Sequence, residues 1–127
     1  MFPTTSCFLN KAKNHYQPNK VLNYRGCIRN EDREIVVDTK DNRILEKRTY
    51  TALTSELMTY LKENKIKDIY LCGIDTDACV LKTAIDLFEN NYNVNVIEYC
   101  TMSHSGRRYH KFAIKMLKKL IGKDSII

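Results

Sequence analysis

Residues 68–84 constrain this chain more than any other stretch. They read Asp68-Ile69-Tyr70-Leu71-Cys72-Gly73-Ile74-Asp75-Thr76-Asp77-Ala78-Cys79-Val80 and continue to Thr83-Ala84. Ile69 to Cys72 is a short apolar run closed by Gly73, the pattern of a strand covered on both faces. Thr76 has the side chain to cap a following helix by accepting from its first backbone N–H groups. With Thr76 as cap, Cys79 is the third helical residue. The positive end of the helix dipole then favours its thiolate, and nearby N–H groups are placed to hold an oxyanion. A strand-turn-helix elbow of this kind presents a nucleophile in α/β hydrolases. The plainer account is that a free cysteine packs as a small hydrophobe. Cys7, Cys27, Cys72 and Cys100 are read that way; Cys79 is set apart because strand, turn, cap and helix converge on it.

The totals set limits on everything else. A chain of 127 residues with 43% hydrophobic content is sized for one globular core. No apolar run reaches the length of a membrane span and no signal-peptide pattern opens the sequence, so no membrane partner is expected. Five cysteines, an odd number without C-x-x-C pairs, fit a reducing compartment and a cytoplasmic location. The net charge of +6 comes from lysines scattered at helical intervals. That describes a solvated helix face better than a nucleic-acid patch, and no nucleic-acid partner is expected.

The periodicity along the chain gives the elements. Met1 to Tyr24 carries Pro3 and Pro18 and no sustained period, so residues 1–24 are read as an irregular segment, with a short strand at Ser6 to Leu9. Residues 25–127 form the domain. Glu34 to Val37 reads as a strand, and Asp38 to Asn42 as a turn. Leu53 to Asn64 is an amphipathic helix through Leu53, Leu57, Tyr60 and Leu61. A second helix, Asp77 to Asn90, points Val80, Ala84, Leu87 and Phe88 inward, and Val94 to Ile97 is the next strand. The last helix, Arg107 to Ile121, has its apolar stripe at Phe112, Ala113, Met116, Leu117 and Leu120, with Gly122 as its stop. His104 and His110 lie near its start, either on the surface or bordering a pocket. No H-x-H or H-x-x-x-H spacing supports a metal, and neither metal nor cofactor is expected.

The segment Gly73-Ile74-Asp75-Thr76-Asp77-Ala78-Cys79-Val80, followed by Thr83-Ala84, resembles the nucleophile motif of the isochorismatase-like cysteine hydrolases, a group that includes nicotinamidases and N-carbamoyl amide hydrolases. Cys27-Ile28-Arg29-Asn30 is similar to the family's second-strand end. Leu45-Glu46-Lys47-Arg48-Thr49-Tyr50 is similar to the segment bearing its lysine, and Val94 to Ile97 with Cys100 to Ser105 to its next strand and loop. Glu98 stands where members usually have Asp. The resemblance implies an α/β fold, three-layer α/β/α and Rossmann-like, with a mainly parallel sheet. It implies an Asp–Lys–Cys triad with Cys79 as nucleophile and Lys47 as its cation, a role that nothing else in the sequence suggests for this lysine. The backbone N–H groups of Asp75 and Cys79 would be the oxyanion donors, with a cis peptide near Ile74–Asp75 aiming them. The substrate implied is a small amide or related carbonyl compound.

One part of the family pattern has no counterpart. Members begin with a central strand ending in the triad aspartate, whereas residues 1–26 hold no Asp and the first is Asp32. The expectation is an N-terminally truncated member, with the first strand and triad acid missing and activity impaired. Asp38 and Asp41 are weak replacements because turns favour Asp for local backbone bonding. The alternative is an inactive member serving in binding or assembly. An unpaired sheet edge would favour self-association, so a homo-oligomer is left open.

Overall fold

The computed structural model describes residue 45 and residues 47–127. The expected strands at Ser6 to Leu9 and Glu34 to Val37, the turn with Asp38 and Asp41, the irregular segment 1–24 and the question of a first strand all lie outside the described residues.

Thr54 opens helix α1, Ser55–Glu63, where its Oγ1 accepts from the Leu57 N–H at 3.2 Å. This hydroxyl satisfies one of the donors that a helix start leaves without a partner. Strand β1, Asp68–Ile74, leads into a π-helical turn, Thr76–Val80, which runs on as helix α2, Leu81–Glu89. Strand β2, Asn93–Met102, pairs with β1 in parallel. Helix α3, Arg107–Leu120, follows, and Gly122, at φ 101°, takes the positive-φ position beyond its end. A short 3₁₀ turn, Lys123–Ser125, then brings Ile126 and Ile127 alongside β2. The Ile127 N–H donates to the Val96 carbonyl at 3.0 Å, and the Glu98 N–H donates to the Ile127 carbonyl at 2.8 Å. Helices and a parallel sheet make this an α/β chain.

The parallel ladder is interrupted once. Leu71 faces Val96, but the next pair is Gly73 with Thr101, so Cys72 alone stands against residues 97–100 of β2. The extra residues form a bulge, and pairing resumes at Ile74 with Met102. The strand therefore runs beyond the expected end at Ile97. Its apolar pattern stops there because Glu98, Tyr99 and Cys100 belong to the bulge, and Tyr99 is fully exposed.

Ile69, Leu71, Val94 and Val96 are buried, and they meet Leu57 and Leu61 of α1, Leu87 of α2 and Leu117 of α3 in one core. Each buried leucine contributes about 1.5–3 kcal/mol relative to an exposed one. On the opposite strand face, Tyr70, Cys72, Asn95 and Ile97 are half-buried. Both faces are covered, but only one is sealed.

Three residues assigned inward by periodicity point outward. Phe88, Phe112 and Leu120 are exposed. The buried positions are Ala113, Ile114 and Leu117 in α3 and Ile121 at its C-cap. Phe112 and Leu120 each precede one of these by a residue, about 100° round the helix, and so fall on its flank. Ile114, absent from the expected stripe, takes the core place instead. In α2, Phe88 stands one step past Leu87 in the same way.

We expect Leu117→Ala to cost about 2–5 kcal/mol in denaturant unfolding, because the cavity it leaves is fully enclosed. Phe112→Ser, at a position 63% exposed, should stay within about 0.5 kcal/mol. A large loss for Phe112→Ser would place that ring in the core.

Candidate active site

The elbow after β1 departs from the expected cap. Asp75, not Thr76, precedes the turn; its backbone is extended, and its side chain makes no capping bond. Thr76 lies inside the turn and is fully buried, so its hydroxyl faces α3, where Oγ1 and His110 Nδ1 share a hydrogen bond of 2.8 Å. Cys79 is consequently the fourth residue of a π-helical turn rather than the third of an α-helix. The Asp75 carbonyl accepts from the Ala78 and Val80 N–H groups at 3.1 and 3.0 Å. These two bonds, donated by the residues on either side of Cys79, set the shape of the turn. The Ile74–Asp75 peptide is cis.

Lys47 reaches this turn from the segment before α1. Its Nζ lies 3.6 Å from Cys79 Sγ, 2.5 Å from the Thr49 carbonyl and 2.8 Å from the Tyr50 carbonyl. An ammonium has three donors, and here each has an acceptor, so the cation is held in one place. The same segment is tied to α2, where the Ala52 N–H donates to Thr83 Oγ1 at 2.8 Å. Burial holds the Lys47 pKa below the ordinary lysine range, while the charge of Cys79 and its hydrogen bond oppose that shift. The described structure thus brings Lys47, Cys79 and the Asp75 backbone, all singled out from sequence, to one turn.

The sequence reading missed the polar link between this turn and the loop after β2. Asp75 is only 5% exposed. Its Oδ1 accepts from the His104 N–H at 2.8 Å, and its Oδ2 pairs with His104 Nδ1. The signal available in the sequence was a pair of histidines just beyond β2, but their partners depend on where the bulge leaves that loop. Among the described residues no group of three or more His, Cys, Asp or Glu is arranged to hold a metal ion.

A lysine ammonium against a thiol favours the thiolate electrostatically. We therefore expect Cys79 to be alkylated first by limiting iodoacetamide at neutral pH, as read by peptide mass mapping. Lys47→Met should slow that reaction by about an order of magnitude and leave the exposed Cys100 unaffected. Equal slowing of both thiols, or first labelling elsewhere in the folded protein, would contradict this.

Comparison with known proteins follows the same residues. The Isochorismatase domain profile matches residues 6–123, beginning upstream of the resemblance noted at Cys27. Isochorismatase family protein 2A of Dictyostelium discoideum is 40% identical over 78 residues, which are 60% of this chain and 38% of that protein. The crystal structure of a pyrazinamidase/nicotinamidase from Streptococcus mutans is similar with a TM-score of 0.63 and 32% identity, over 69% of this chain and 48% of that one. An isochorismatase-like hydrolase from Alkaliphilus metalliredigens gives a TM-score of 0.62 at 28% identity, over 69% of this chain and 50% of the other. The chain spans at most half the length of each of these relatives. Its profile match, its motif around Cys79 and its α/β framework make it a member of the isochorismatase family.

Proposed function

We propose that this chain is a cysteine hydrolase for a small amide or related carbonyl compound, with Cys79 as nucleophile and Lys47 as its cationic partner. The observation that carries this reading is the 3.6 Å approach of Lys47 Nζ to Cys79 Sγ from 32 residues away. A relative named for pyrazinamidase and nicotinamidase activity supports small amides as the substrate class. The thiolate attacks the carbonyl carbon, and the oxyanion that forms is held by the Asp75 and Cys79 N–H groups. The C–N bond then breaks and the amine leaves with a proton. Water hydrolyses the thioester and returns the thiol.

Residues 1–31 hold no aspartate to match the triad acid that the resemblance implies, and in the reaction proposed for these 127 residues the leaving amine takes its proton from solvent. Loss of a positioned acid typically costs 10²–10⁴-fold. Ammonia release from nicotinamide or an N-carbamoyl amide is therefore expected at that much below ordinary turnover, and should vanish in Cys79→Ala. Release that persists in Cys79→Ala would overturn the nucleophile assignment, and turnover at an ordinary rate would overturn the impairment. Absent release, together with absent thioester at Cys79, would favour the second reading, a binding or assembly role. That reading draws on the same lack of a matching aspartate. Homo-oligomer formation and a cytoplasmic location belong to this proposal as well.

The pH dependence has a definite sign. Lys47 carries its charge below its pKa and loses it above, and burial has lowered that pKa. Hydrolysis should therefore decline on the alkaline side before the ordinary lysine range is reached. A rate–pH profile that stays flat through that range would remove Lys47 from the reaction.

A further inference from the structure

We propose that His104 is a positioning residue for the oxyanion-binding turn, acting through the buried carboxylate of Asp75. The proposal rests on the hydrolase reading given above. It deepens that reading by naming what holds the turn in shape.

Asp75 contributes to the turn with both its main chain and its side chain. In the hydrolase reading its N–H is one of the two oxyanion donors. Its carbonyl collects the Ala78 and Val80 N–H groups, the two neighbours of Cys79. Its carboxylate is buried and meets His104 twice, through the backbone N–H and the ring Nδ1. A buried carboxylate without partners would be costly, so these bonds fix where the residue sits. The His104 side chain is 60% exposed and adds little to the core. Its contribution is therefore to the orientation of Asp75 more than to packing. The next residue, Thr76, is held in the same manner by His110. Asp75, just before the turn, and Thr76, its first residue, are thus fastened to the loop after β2 and to α3.

Geometric control of an oxyanion donor has a chemical signature. Addition to a carbonyl develops negative charge on oxygen and needs aligned donors, whereas alkylation displaces a halide at a saturated carbon and needs none. Cys79 in the 127-residue chain is to be acylated with p-nitrophenyl acetate and, separately, alkylated with iodoacetamide, both followed at Cys79 by mass mapping. In His104→Ala we expect acylation to fall at least about tenfold, approaching the 10²–10³ that removal of an oxyanion donor costs. Alkylation should change by less than about twofold, since it does not draw on that donor. His104→Asn carries a side-chain N–H at the position of Nδ1 and should recover most of the acylation rate, while His104→Gln should not.

A parallel fall in both reactions would mean a displaced thiol or a disturbed fold, and would overturn the positioning role. Unchanged acylation in His104→Ala would overturn it too, and would leave the hydrolase reading intact. A wild-type protein that is alkylated but never acylated at Cys79 would remove the hydrolase reading, and with it this one.

Discussion

The slip in the parallel ladder between β1 and β2 is the constraint on which the site depends. Up to Leu71 and Val96 the two strands run in step, and their apolar side chains seal one face. With Cys72 alone facing residues 97–100, β2 has length to spare before it rejoins β1 at Gly73 and Ile74. That spare length decides which residue of β2 arrives beside the elbow. In an unbroken register the loop after β2 would meet β1 at a different residue, and His104 would not lie against Asp75. Thr101 Oγ1 closes the bulge by donating to the Glu98 carbonyl at 3.0 Å. The conformation of Cys79's turn is thus tied to pairing on the neighbouring strand as well as to its own sequence.

At the site itself two effects oppose each other. Taking a lysine ammonium out of water disfavours its charge, and a thiolate beside it restores part of what is lost. For Lys47 burial is the larger of the two. The Thr49 and Tyr50 carbonyls supply acceptors that water would otherwise provide, at distances shorter than the one to sulfur. The main chain around residue 50 therefore acts as a solvation shell for the cation. Among the described residues, the acceptors that hold this lysine are two carbonyls and a sulfur.

Much of this was legible in the sequence, for identifiable reasons. The apolar run at Ile69 and the helical periods of α1 and α3 are local patterns, and they gave elements close to those observed. Lys47 and Asp75 came to notice only through resemblance to a family, since a lysine after a strand carries no signal of its own. Helix phase was less legible. Phe112 and Leu120 satisfy a 3.6-residue period nearly as well as Ala113 and Ile121 do, and only the neighbouring elements decide which stripe is covered. The cap at Thr76 failed for a related reason. Its hydroxyl can bond the turn's own N–H groups or an outside partner, and His110 is an outside partner that sequence spacing does not reveal. The bulge was invisible because polar residues inside a strand look the same as the strand's end.

The pairing of Ile126 and Ile127 with β2 has a practical side. The bonds at Val96 and Glu98 use the main chain of the last residue, and Glu98 belongs to the bulge that brings His104 to Asp75. Trimming those two isoleucines would leave the Glu98 N–H and the Val96 carbonyl to water and free the bulge to shift. An affinity tag fused after Ile127 would begin from backbone already engaged in the sheet. For handling these residues, Ile126 and Ile127 count as part of the nucleophile's scaffold, and a flexible spacer belongs between Ile127 and anything attached to it.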